Sequence, residues 1–148
     1  MANHVRRQIR EAVGTAVTGL TTTGSRVFQS RVYPLETTDL PGLLINTQSE
    51  QSEPISIHGP RMLQRTVQLN VVAVARAVAD LDDTLDGICK EVEIALASAG
   101  SLGGLAKSVT LASTELEMSG EVEKPTGRAQ MTFEVEYFVL ENAPDVAQ

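Results

Sequence analysis

The chain has 148 residues, 42% hydrophobic and 21% charged, which suits a single globular domain and excludes a wholly disordered chain. A formal charge of −7 argues against a protein that grips nucleic acid, because affinity for phosphates comes from clustered Lys and Arg. One cysteine, Cys89, excludes an internal disulfide and suits a reducing compartment, and 3% aromatics without Trp leave the core to Val, Leu, Ile and Ala.

The opening "MANHVRRQIREAV" is charged throughout and lacks the apolar centre of a signal peptide. Val5, Ile9, Ala12, Val13, Ala16, Val17 and Leu20 recur at helical spacing opposite Arg6, Arg7, Arg10 and Glu11, which predicts a helix over about residues 3–18. "TTTGS" follows as a loop. In "RVYPLETTDLPGLLINT" one strand-like run stops against Pro34, and a second starts after Pro41. A polar stretch, "TQSEQSEPISIHGPR", then leads to "MLQRTVQLNVVAVAR". There Leu63, Val67, Leu69, Val71, Ala73 and Ala75 share one face of a strand, and Gln64, Thr66, Gln68 and Asn70 share the other.

With "HGP" as the turn, residues whose numbers sum to about 118 pair across a long hairpin: Ile57 with Arg61, Ile55 with Leu63, Ile45 with Ala73, Leu43 with Ala75. A strand from Arg61 to Arg76 reaches roughly 53 Å at about 3.3 Å per residue. A helix of about 18 residues covers only roughly 27 Å, so half of the hairpin is expected to have no helix over it. Residues 44–63 are therefore expected to project as an arm. Its contacts with another chain would fall on Gln48, Glu50, Glu53, Ile55, Ile57, Arg61, Leu63 and Arg65, because apolar side chains stranded on an arm call for a partner. A floppy loop, with Pro54 breaking the pairing, is the competing reading.

"DLDDTLDGICKEVEIALASAG" is the second helix. Leu81, Leu85, Ile88, Val92 and Leu96 form its stripe, Asp80 is expected to cap it, Asp82 and Asp83 fill its first turn, and Gly100 ends it. "SVTLASTELEM" changes apolar phase between Val109 and Leu111 and the later Leu116 and Met118, which predicts a bulge near Ser113. "EKPTG" is expected to turn into a last strand with Met131, Phe133, Val135, Tyr137 and Val139 on one face. Residues 142–148 are expected as a flexible tail. The fold expected is α+β: a mostly antiparallel sheet with two helices packed on one face and a long projecting β-hairpin, in one domain spanning 1–141.

Chemistry is sparse. His4 lies near the terminus and His58 in a turn, both expected to be solvated; Cys89 falls on the buried helical stripe and reads as a small core residue. Asp80, Asp82, Asp83 and Asp86 read as helix-start residues rather than metal ligands. "GSLGGLA" follows a helix, so its amides do not form a phosphate cradle, and Glu115 with Glu117 and Glu134 with Glu136 alternate as solvated charge. No enzyme, cofactor or metal is expected. The longest apolar run, "VVAVARAVADL", is interrupted by Arg76 and too short for a bilayer, so no membrane is expected either.

The succession "RVYPL", "LPGLLI", a polar hairpin, "VVAVAR", a helix beginning "DLDDTLDGI" with "VEIAL", and a final hairpin ending "FEVEYFV" resembles the tail terminator proteins of long-tailed bacteriophages, the minor tail protein U type. The resemblance spans nearly the whole chain in order, size and acidity. It implies an α+β domain that assembles as a hexameric ring on the finished tail tube and stops its polymerisation. The ring would then receive head-completion or neck proteins and let DNA through its lumen. It also implies a place at the tail–neck junction of the virion, reached from the host cytoplasm, and no catalytic residues. Six copies would carry about −42 (six times −7), a field that repels DNA and lets it slide. A neck or tail-completion adaptor is the nearest alternative, and a free-standing ligand-binding module a more distant one.

Overall fold

The computed structural model describes residues 2–29, 39–76, 80–118 and 126–148. The elements in chain order are α1 (Val5–Ala16), β1 (Val27–Gln29), β2 (Gly42–Pro54), β3 (Met62–Arg76), α2 (Leu81–Ala99), β4 (Ser108–Met118), β5 (Thr126–Leu140) and β6 (Ala143–Ala147). The fold is the α+β arrangement that the two periodicities predict. The strand expected just before Pro34 and the turn of the last hairpin at 119–125 lie outside the described residues, while Thr126 and Gly127, expected in that turn, already belong to β5.

Val5, Ile9 and Val13 recur about one turn apart on α1 and are fully buried, with Val17 extending the stripe just past its end. α2 buries Leu81, Leu85, Ile88, Cys89, Val92 and Leu96, and stops at Gly100, whose φ of 60° suits a residue without a Cβ. Asp82 and Asp83 occupy its first turn as expected. Asp80 holds the N-cap position without a side-chain capping hydrogen bond, because its φ of −105° and ψ of 31° depart from the extended geometry a capping oxygen needs.

The sheet runs β1-β2-β3-β5-β4, with β6 added on β5; β1 is parallel to β2 and the remaining pairs are antiparallel. Val67, Leu69, Val71, Ala73 and Ala75 of β3 join Ala129, Met131, Phe133, Val135, Tyr137 and Val139 of β5 in one buried cluster with both helices. Both helices therefore lie on one face. The even-numbered residues of β3 face away from them, beginning polar at Gln64 and ending in Val72 and Val74, which are buried on that second face.

Two bulges flank a single row of the sheet. Thr47, Leu69, Phe133 and Leu111 stand side by side, and an extra residue follows beside that row in each outer strand, Gln48 in β2 and Ala112 in β4. The bulge in β4 is the one its apolar phase change predicts. It keeps Val109, Leu111, Thr114, Leu116 and Met118 on the helix-bearing side, since their partners Val135, Phe133, Met131, Ala129 and Gly127 all face that way.

The bulge in β2 corrects the expected register. At the base Leu43 pairs with Ala73 and Ile45 with Val71, two residues from the expected partners, so the facing is kept although the pairs differ. Beyond Gln48 the phase inverts, and Pro54, not Ile55, faces Leu63. Polar residues carry no apolar parity, so nothing in "NTQSEQSE" marks the inversion. Pro54 does not interrupt the ladder, which runs to it without a break after Ser49.

The hairpin is also better supported than strand and helix lengths suggest. β3 pairs with β5 along its full length, from Met62 opposite Leu140 to Arg76 opposite Thr126, and the start of α1 reaches the far half of β2. Residues 142–148, expected to be a loose tail, instead contain β6. β4 begins opposite Glu136, so the last rows of β5 have an open side there, and β6 fills it at Val139 and Leu140.

Candidate interaction surface

The tip of the hairpin, residues 51–61, is exposed throughout. Ile55 is 49% and Ile57 90% accessible, the latter the most exposed large apolar side chain among the described residues. The tip is nevertheless fixed. Ile55 N–H donates to Met62 O at 2.8 Å, Met62 N–H to Ser56 Oγ at 2.8 Å, and Glu141 N–H to Arg61 O at 2.9 Å. Arg61 Nε then donates to Glu141 Oε2 at 2.9 Å, and this hydrogen bond holds the Glu141 carboxyl below its ordinary range. His58 is exposed in the turn, as expected.

Of the other residues expected at an interface, Glu50, Leu63 and Arg65 turn inward, and Gln48 stays exposed on the helix-free face. Tyr137, fully buried on β5, donates its hydroxyl to Glu50 of β2, and Arg6 of α1 donates to the same carboxylate. Burial and the bond to Glu50 push the Tyr137 phenol far above its ordinary range. Arg65 of β3 donates to Ser52 Oγ at 3.3 Å and lies 3.0 Å from His4 Nε2. His4 is thus no solvated bystander: its Nδ1 accepts from the Arg6 backbone N–H at 3.0 Å and caps α1. Leu63 is half-buried and packs on the core, and Gln48 accepts from Asn70 Nδ2 at 3.1 Å. Of the eight residues named from sequence, Glu53, Ile55, Ile57 and Arg61 make the exposed tip, Glu50, Leu63 and Arg65 secure the hairpin to its own body, and Gln48, exposed, bonds Asn70 across the strand pair.

One signal for this inner network was available. Alternation places Tyr137 on the core face, and a buried phenol requires a hydrogen-bond partner. Glu50 and Arg65 are what the neighbouring strands offer it.

The helix-free face carries a different chemistry. Asn70 Nδ2 donates to Asn46 Oδ1 at 3.1 Å, and Thr132 Oγ1 to Asn70 Oδ1 at 2.9 Å, tying β2, β3 and β5 together. Gln64 Nε2 donates to Glu136 Oε2 at 2.9 Å. Register sets Glu53, Glu115, Glu117, Glu134 and Glu136 on this side, with Arg76 and Arg128 among them and Lys107 over the ring of Phe138. A shallow hollow of about 490 Å³ here is lined by Gln51, Ser52, Glu53, Gln64 and Thr66. Its lining is short, polar and aliphatic-poor, which suits water better than an apolar ligand.

Cys89 is buried on α2 and packs as part of the core, and burial pushes its thiol up. Among the described residues no three His, Cys, Asp or Glu side chains come together as metal ligands would, and no helix is long and apolar enough to cross a membrane.

No family model matches the sequence, and no curated protein matches it closely. Among solved structures the chain is similar to one from a structure described as "Virion of native gene transfer agent (GTA) particle", at 14% identity and a TM-score of 0.44 over 90% of each chain.

Proposed function

We propose that this chain is a structural virion protein that caps a phage tail tube as a ring, ends tube polymerisation and presents a surface for head or neck attachment, with a channel left for DNA. The observation that carries the reading is the hairpin tip. Ile55 and Ile57 are exposed on a turn that hydrogen bonds and an ion pair hold in place, an arrangement that favours docking over burial within the same chain. A closed ring joins two different patches head to tail, and a rigid apolar knob is suited to be one of them. The role within a tail rests on the sequence resemblance to tail terminators.

The acidic helix-free face supports a channel through which DNA moves without adhering. The partners in this reading are further copies of the chain, the tail-tube protein and a head-completion protein, at the tail–neck junction. No catalysis is assigned to it. A neck adaptor is the second reading, because the same tip could serve a ring that docks on the head side.

Light scattering and electron microscopy of the full chain test the assembly. Rings of six are expected, and Ile57→Asp should remain monomeric with an unchanged far-UV spectrum. A wild-type chain that stays monomeric at every concentration overturns the ring. Added to polymerising tube protein, the chain should stop growth and cap the ends. Continued growth, with binding only to a head-completion protein, selects the adaptor.

A further inference from the structure

We infer that His4 is a pH-sensitive latch that caps the first turn of α1 against the strands beneath it, closed while the imidazole is neutral and opened by a single proton. The inference is independent of the proposed function and stands on the donors that surround one ring.

His4 Nδ1 lies 3.0 Å from the backbone nitrogen of Arg6, and Nε2 lies 3.0 Å from Arg65 Nη1. A backbone N–H and a guanidinium only donate. A neutral imidazole offers one acceptor nitrogen to these two donors; the cap uses Nδ1, so Nε2 carries the hydrogen beside Arg65, and an imidazolium offers no acceptor. Protonation therefore removes the N-cap of α1 and places a third positive charge beside two arginines.

The charged groups facing the ring are Arg6 from α1, Arg65 from β3 and Glu50 from β2. Glu50 already accepts from Arg6 and from Tyr137 of β5, whose phenol stays neutral throughout the range in which an imidazole titrates. Burial first, and then the charge of Arg6, hold the His4 pKa below its ordinary value, with Glu50 opposing and Arg65 adding to the effect. The sign follows from linkage. The unfolded chain binds this proton more tightly than the folded one, so the latch is fully closed above the ordinary imidazole value. It is lost as pH falls through the lower folded value.

What the latch holds is equally local. Val5, the first residue of α1, is fully buried; Arg6 reaches Glu50; and Gln8 Nε2 donates to the Asp145 carbonyl of β6 at 3.0 Å. All three lie within one turn of His4, so opening loosens the start of α1 and its tie to β6 while α2 stays packed.

Amide hydrogen exchange of the full chain between pH 7.5 and 4.5, with α2 amides as internal reference and the His4 ring signals followed alongside, tests this. After correction for intrinsic rates, amides 6–9 should exchange roughly fivefold faster once His4 is protonated, the loss of one N-cap. His4→Ser retains a capping oxygen that does not titrate, and should keep those amides protected through the pH at which the wild type opens. His4→Ala should leave them fast at every pH. The latch is overturned if His4→Ser opens at the wild-type pH, or if the His4 ring titrates at or above the value of a free imidazole.

Discussion

Where β3 ends and β5 begins, Leu81 of α2 rests on Gly127, and a Cβ built on that glycine would lie 2.6 Å from Leu81 Cδ2. At the opposite end, where β3 begins, Tyr137, Glu50, Arg6, Arg65 and His4 meet through hydrogen bonds and charge. The first region is held by contact between apolar surfaces, which is strong in sum and indifferent to pH. The second is held by directional bonds whose net worth is modest, but whose loss leaves polar groups stranded. Changes at the α2 end should therefore lower global stability most, and changes at the hairpin end should lower it less and add effects through pH or through assembly.

The largest effect is expected from Ile88→Ala, which empties part of the α2 stripe at a site with no exposure. It should cost about 2–5 kcal/mol in denaturant unfolding, with the slope unchanged. Gly127→Ala probes the same end from the opposite direction. The added methyl must displace buried Leu81, and a loss of about 1–3 kcal/mol is expected in denaturant unfolding.

Tyr137→Phe crosses to the other region. It keeps the buried ring and deletes the donor to Glu50, for an expected loss of about 1–2 kcal/mol in global unfolding and faster exchange at the start of α1. A loss as large as that of Ile88→Ala would erase the distinction between the two ends. Smallest is Arg61→Ala at the tip. The pair it breaks is exposed, so the unfolding midpoint should stay in place, while the Glu141 carboxyl, read from its carbon shift, returns toward the ordinary glutamate range. The contribution of that pair is present above the ordinary glutamate value and lost as pH falls through the lower folded one.

The same division governs what the sequence reveals. α2, β3 and β5 are legible because their apolar residues recur with the period of the element and because Gly100 marks an end. Even the bulge of β4 shows, since Val109 and Leu111 hand over to Leu116 and Met118 across it. The hairpin end is opaque for a physical reason. Its bulge at Gln48 lies in a polar run where a change of phase leaves no trace, so Glu50 is read as an outward residue when it points in. β6, "APDVA", has a composition that disfavours strands, and only the open side of β5 calls it into the sheet. His4 looks incidental until the fold brings Arg65 to it from 61 positions away.

Gln48 and Ala112 sit beside the same row of the sheet, one in each margin. A bulge bends its strand and steepens the local twist, and two of them abreast act as a crease across the sheet. The twist of the acidic face is thereby steepened at that row, by two exposed residues outside the apolar core. Removing both would restore an even ladder and relax that twist, at the cost of the hydrogen bond that Gln48 accepts from buried Asn70.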